Sequence, residues 1–256
     1  MKQRIYNILI VIIVAFICVN IYNFYKDNKK RENVEVPVSS DLMEQNILNS
    51  EASSEDKKPI DSNISDWNLI LVNKDNPIPE NYRIETINIE DTYKIDARAK
   101  DAAKQMLEDA RKEGLYPIIC SAYRSFNNQK LLFNNKVKQY RAKGYSQESA
   151  EEQASYWVTI PGTSEHELGL ALDIVSANYQ ILDENQEKTE VQKWLMEHCY
   201  EYGFILRYPT EKKDITKINY EPWHYRYVGI KDAMVIKEKG FCLEEYIDFL
   251  KSVTIQ

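Results

Sequence analysis

The chain has 256 residues, 43% of them hydrophobic and 29% charged, and a net charge of -7. That length suits one substantial domain with appendages, and the acidic balance argues against a nucleic-acid binder, which is usually basic. The four cysteines, Cys18, Cys120, Cys199 and Cys242, form no CxxC pair, which argues against a cysteine zinc site; the last three allow at most one internal disulfide and read as free, buried thiols.

In chain order, Ile5 to Tyr22 is apolar and carries no charge. As a helix it rises about 27 Å, close to the bilayer hydrocarbon thickness. Lys2 and Arg4 precede it and no small-x-small cleavage site follows. Residues 1–26 therefore read as an uncleaved membrane anchor, with a cleaved signal peptide as the alternative. Lys26, Lys29, Lys30 and Arg31 follow the segment, and positive charge tends to stay inside. The chemistry below outweighs that count and favours an exported domain. Residues 27–65 are rich in Asn, Ser, Glu, Lys and Asp and read as a disordered stalk. At roughly 5–6 Å × √n, it spans on the order of 35 Å.

The remaining residues, 66–256, form the domain. Trp67 to Asn73 is a strand-like run, and Pro77 and Pro79 mark a loop. Asp96 to Glu113 repeats apolar residues at helical spacing and stops at Gly114. Pro117 to Ser121 is a short buried strand. Ser125 can cap a helix from Phe126 to about Ala142, and Gln147 to Trp157 is another helix. Leu170 to Val175 is a strand with Leu170, Leu172 and Ile174 on one face and Asp173 on the other. Thr189 to Tyr202 is a helix stopped by Gly203. Phe204 to Tyr208 and Trp223 to Val228 are strands, and helices around Lys231 to Lys239 and Leu243 to Lys251 finish the chain. Helices and strands mix without a βαβ repeat, which predicts a single α+β domain with a small, mostly antiparallel sheet flanked by helices.

Two runs carry the chemistry: Ser164-Glu165-His166-Glu167-Leu168-Gly169-Leu170-Ala171-Leu172-Asp173 and Glu221-Pro222-Trp223-His224. They hold two of the three histidines. Two histidines and one aspartate leave an open fourth position on a tetrahedral zinc, and a nearby glutamate can take the proton of the water held there. His166 and Asp173 lie about 10.5 Å apart on a straight helix and about 23 Å apart when extended, so joint ligation needs a bend. Gly169 is the hinge. His224 is expected at a strand start, with Glu221 in the loop before it because Pro222 disfavours a helix interior. His198, mid-helix, reads as a surface or core histidine.

These runs resemble the VanY-type D-alanyl-D-alanine carboxypeptidases, part of a zinc group with lysostaphin-type peptidases and hedgehog domains. The similarity covers roughly Asn68 to Leu250. It is supported by Ser121-Ala122-Tyr123-Arg124-Ser125, Gly203-Phe204-Ile205-Leu206-Arg207-Tyr208-Pro209 and Trp223-His224-Tyr225-Arg226-Tyr227-Val228-Gly229. The resemblance implies one zinc ion on His166, Asp173 and His224, Glu221 as general base and acid, substrate contacts from Arg124 and Gln129, and Ser164 at the pocket edge. It implies removal of the C-terminal D-alanine from peptidoglycan stem peptides. An L,D-carboxypeptidase acting on tetrapeptide stems is the nearest alternative, and a non-catalytic zinc-bearing wall-binding domain is the alternative from another class. In one departure, Thr216-Lys217-Ile218 stands where family members often carry Thr-Gly. Arg124, between a strand and a helix, suits a bidentate contact with a C-terminal carboxylate. Gln129 reads equally as a peptide contact or a helix-surface residue. Oligomeric state is not legible, and a monomer is assumed.

Overall fold

The structure is a computed structural model that describes residues 62–254. The anchor at 1–26 and the stalk at 27–65, except its last four residues, lie outside the described residues. Of those four, Ser62 donates its hydroxyl to Asp232 Oδ1 at 2.5 Å, so this end of the stretch is tied to the domain. Among the described residues no helix is long and apolar enough to cross a membrane.

The elements are β1 (Thr86–Glu90), β2 (Tyr93–Asp96), α1 (Lys100–Lys112), β3 (Pro117–Ser121), α2 (Phe126–Ala142), α3 (Gln147–Ser155), β4 (Ala171–Ser176), α4 (Glu190–His198), β5 (Phe204–Leu206), α5 (Lys213–Thr216), β6 (His224–Tyr227), α6 (Ile230–Lys239) and α7 (Leu243–Thr254). Strands β3-β4-β6-β5 form one sheet in that order, antiparallel throughout, and β1-β2 form a separate hairpin. This is the expected α+β architecture.

Central strand β4 is buried along its whole length. Leu172 and Ile174 join the main core with Met106, Leu107 and Ala110 of α1 and Trp194 and Leu195 of α4. Asp173, between them, turns to the opposite face by strand alternation. A second cluster forms where Leu69, Ile205 and Val228 meet Ile236, Tyr246 and Leu250 of the last two helices. Helices α2 and α3 pack on each other through Phe133, Val137, Ala150 and Ala154.

Ser125 caps α2 as expected, its hydroxyl accepting from the Asn128 N–H. Gly203 ends the α4 region in the left-handed conformation. Cys120, Cys199 and Cys242 are free thiols.

Two features differ from the sequence reading. Trp67 to Asn73 is not a sheet strand. Leu69 and Val72 are buried, but the carbonyls of Asn68 and Ile70 accept from Arg226 Nη2 instead of from a neighbouring strand. The β1-β2 hairpin was not foreseen. It braces the site: Asp96 N donates to Gly169 O, and Tyr123 N to Lys94 O.

Candidate active site

Three loops meet at the β3-β4-β6 edge. Asp173 pairs with His224 across β4 and β6 and with Ser121 across β3 and β4. His166 approaches from the turn before β4. That turn closes through the Gly169 N–H, which donates to His166 O. Gly169 has φ +68°, and a Cβ there would run into Ile84. Glycine is therefore favoured here first by its backbone conformation, with the close approach of Ile84 and Asp96 adding to it. His224 opens β6, and Glu221 sits in the turn before it, as expected.

Each imidazole has one nitrogen committed elsewhere. His166 Nδ1 lies 2.8 Å from the carbonyl of Ala122, which can only accept, so Nδ1 carries the proton. Nε2 of His166 then points a lone pair at Asp173 Oδ2, 3.2 Å away. His224 Nε2 lies 3.2 Å from Glu165 Oε2 and donates to it. That leaves His224 Nδ1 facing Asp173 Oδ1 at 3.0 Å. One ligand atom from each of His166, Asp173 and His224 lies within 4.8 Å of the others, and all three residues are buried. Lone pairs so arranged repel unless a cation sits among them. A divalent ion with nitrogen and oxygen ligands fits this donor set.

The protonation pattern agrees. Burial, with help from Arg124, pulls His166 down to about 4, so it is neutral. Burial also opposes charge on His224, but hydrogen bonds to Asp173 and Glu165 outweigh it and raise His224 to about 9. Without metal, a proton on His224 supplies the missing positive charge. Burial would raise Asp173, yet the two histidines hold it well below the usual carboxylate range. Burial lifts the Glu221 carboxyl to about 8. Its Oε2 lies 3.8 Å from His224 Nδ1.

Glu165 is fully buried between two arginines. Its Oε1 accepts from Arg207 Nε and Arg226 Nη1, both at 2.7 Å. Arg207 also makes a forked contact with Glu244 at 2.8 and 2.7 Å. Two carboxylates thus balance two guanidinium groups. The sequence reading gave these residues no role. The signal was present: Arg207 and Arg226 stand inside apolar and aromatic strand runs, where a charge demands a buried partner.

The cleft beside the ligands has a volume of about 260 Å³, and Arg124, Ser164, Glu221 and Trp223 line it. The Arg124 N–H donates to His166 O at 3.1 Å, which ties the arginine to the ligand turn. Its Nε is buried without a hydrogen-bond partner among the described residues. Gln129 lies elsewhere. It is buried and absent from the cleft lining, and its Nε2 donates to the carbonyl (2.7 Å) and hydroxyl (3.2 Å) of Thr159. His198 is a surface residue bonded to Glu201.

The VanY family of D-alanyl-D-alanine carboxypeptidases matches residues 92–230, more than half of the chain, and the match includes the triad, Glu221 and Arg124. The chain belongs to the VanY family. Among relatives, a D-alanyl-D-alanine carboxypeptidase of Enterococcus faecalis is 44% identical over 183 residues, 72% of this chain and 66% of that protein. The chain thus matches just under two thirds of that relative's length. The putative carboxypeptidase YodJ of Bacillus subtilis is 40% identical over 235 residues, 84% of this chain and 83% of YodJ. Three VanY-like solved structures bear on the site. VanYB in complex with D-alanine-D-alanine has a TM-score of 0.66 and 45% identity, covering 72% of this chain and 98% of VanYB. A vancomycin resistance VanY D,D-pentapeptidase in complex with Zn(II) has a TM-score of 0.65 and 44% identity, covering 71% and 99%. The LD-carboxypeptidase LdcB has a TM-score of 0.62 and 41% identity, covering 71% and 86%.

Proposed function

We propose that this chain is a zinc-dependent D-alanyl-D-alanine carboxypeptidase that removes the terminal D-alanine from peptidoglycan stem peptides. The observation that carries this reading is the convergence of three lone pairs, from His166, Asp173 and His224, beside the buried Glu221. Those three residues would hold one zinc ion. When bound, zinc supplies a Lewis acid for the scissile carbonyl and acidifies water. Glu221, with its carboxyl raised to about 8, exchanges a proton near neutrality. It takes the proton of the attacking water and then returns it to the leaving amine of D-alanine. Arg124, which lines the cleft, offers its guanidinium to the free carboxylate of the chain end, and Ser164 borders that pocket. Gln129 shapes the wall through Thr159.

The second reading, an L,D-carboxypeptidase, is favoured by the likeness to LdcB. Mass spectrometry of pentapeptide and tetrapeptide muropeptides after incubation with the zinc-loaded protein separates the two. Loss of D-alanine from the pentapeptide supports the first reading. Loss from the tetrapeptide alone supports the second. No loss at full zinc occupancy removes both and leaves a non-catalytic wall-binding domain.

The substrate is outside the membrane, so we infer a single-pass protein with residues 1–26 as anchor, 27–65 as stalk and the catalytic domain extracellular. Added protease should digest the domain in intact cells. Protection of the domain, with an exposed control protein digested, would count against export.

A further inference from the structure

The cleft has a second cation. Lys136 lines it from α2 together with Leu132, one turn earlier. Lys136 is half-buried, and its ammonium stands 5.3 Å from the ring centroid of Trp157. No carboxylate of the described residues lies within ion-pair distance of it. Most other cations around the site are spent: Arg207 and Arg226 on Glu165 and Glu244, and Lys212 on Glu245. Burial pulls the Lys136 ammonium down from its ordinary value, while the Glu221 carboxylate opposes that shift.

Arg124 precedes α2 and Lys136 stands in its interior, and both line the cleft. From Phe126, next to Arg124 across the cap, to Lys136 is ten residues of helix, about 15 Å along the axis. An extended peptide advances about 3.3–3.6 Å per residue. With its terminal carboxylate at Arg124, a peptide would bring a group two to four residues upstream to Lys136. Resting on the carboxypeptidase reading above, we propose that Lys136, backed by Trp157, is a specificity-determining residue that selects stem peptides with a free side-chain carboxylate upstream of the scissile bond. Two sources of that carboxylate exist in such peptides, the α-carboxyl of a γ-linked glutamate and the second carboxyl of a diamino diacid.

The test measures D-alanine release by the full-length, zinc-loaded protein from four synthetic pentapeptides. One carries both upstream carboxylates, two carry one each with the other as the amide, and one is amidated at both. The expected result is a kcat/KM about tenfold higher for the best carboxylate peptide than for the double amide, expressed in KM, as for a charge-assisted contact. The single amides identify which carboxylate is read. In Lys136→Gln that ratio should collapse toward one, and Lys136→Arg should keep it. A merely structural role would lower all four peptides alike and leave the ratio intact, which overturns the proposal. Equal rates for all four peptides with the unchanged protein also overturn it, while D-alanine release continues to support the carboxypeptidase reading. No release from any peptide removes that reading and the selectivity together.

Discussion

Glu165 Oε2 accepts from His224 Nε2 at 3.2 Å, and this contact decides which nitrogen of His224 faces the metal position. Burial would raise the Glu165 carboxyl, but Arg207 and Arg226 hold it well below the usual range. The two guanidinium groups favour its ionised, hydrogen-bond-accepting form. Such carboxylate–histidine contacts fix the ring and increase its basicity as a ligand.

Glu165→Gln keeps the shape but removes the charge and can offer an N–H where an acceptor is required. Zinc affinity should fall about 10–100-fold, read by competition with a chromogenic chelator. Glu165→Ala strips both arginines of their shared partner and should destabilise the fold by roughly 3–5 kcal/mol, although Arg207 retains Glu244. Unaltered zinc affinity in the glutamine variant would show that the contact does not orient His224.

Zinc uptake should release protons. His224 sits at about 9 in the metal-free site, so near pH 7 its Nδ1 proton must leave before a metal can bind. His166, at about 4, contributes none. Apparent zinc affinity therefore rises with pH until about pH 9. The metal-free fold shows the opposite sign. The His224 pKa is raised above its ordinary 6.5, so its stabilisation is fully present below about 6.5 and is lost as pH rises through about 9. Calorimetry in buffers of different ionisation enthalpy counts the protons. A count of zero at pH 7 would contradict this account.

Glu221→Gln should separate metal binding from turnover. None of the three ligands is changed, so the variant should bind one equivalent of zinc. It cannot accept a proton, so kcat should drop on the order of 10²–10⁴-fold. Metal content and D-alanine release from one preparation test both halves. A variant that turns over normally would assign the proton transfer to another group.

Arg124→Lys keeps a cation but loses the planar fork. If the guanidinium, which lines the cleft, grips the substrate's terminal carboxylate, KM should rise about tenfold or more and the preference for a free C-terminus over its amide should narrow. An unchanged preference for the free acid over the C-terminal amide would argue that Arg124 is structural.

Much of this site was legible because its chemistry is local in sequence. His166, Gly169 and Asp173 fall in one run, and the bend at Gly169 follows from the reach of the chain. Helix α2 was bounded correctly because Ser125 caps it and the pattern is long. The hairpin β1-β2 was missed since its strands are five and four residues long and their partners are each other. Trp67 to Asn73 misled because its apolar residues are buried, while its carbonyls are satisfied by the Arg226 side chain more than 150 residues later. Gln129 was open in the sequence because helix position does not reveal which neighbour takes its amide. The answer, Thr159, lies 30 residues on.

Lys217 supplies a stability test at the cleft wall. It follows the short helix α5 with φ 60° and ψ 15°, and its N–H donates to Lys213 O at 2.9 Å. This is the left-handed region, which costs a residue with a Cβ roughly 1–2 kcal/mol and glycine little. Lys217 stands at the place where the resemblance led us to expect glycine, so the chain carries this strain next to Ile218, which lines the cleft. Lys217→Gly relieves it, and the greater freedom of glycine in the unfolded chain takes back part of the gain. The net should be up to about 1 kcal/mol of added stability, or about 2–4 °C in Tm for a domain of this size. Lys217→Ala keeps the Cβ and should stay close to the unmodified protein. If thermal melts rank alanine above glycine, backbone strain is not what governs this turn.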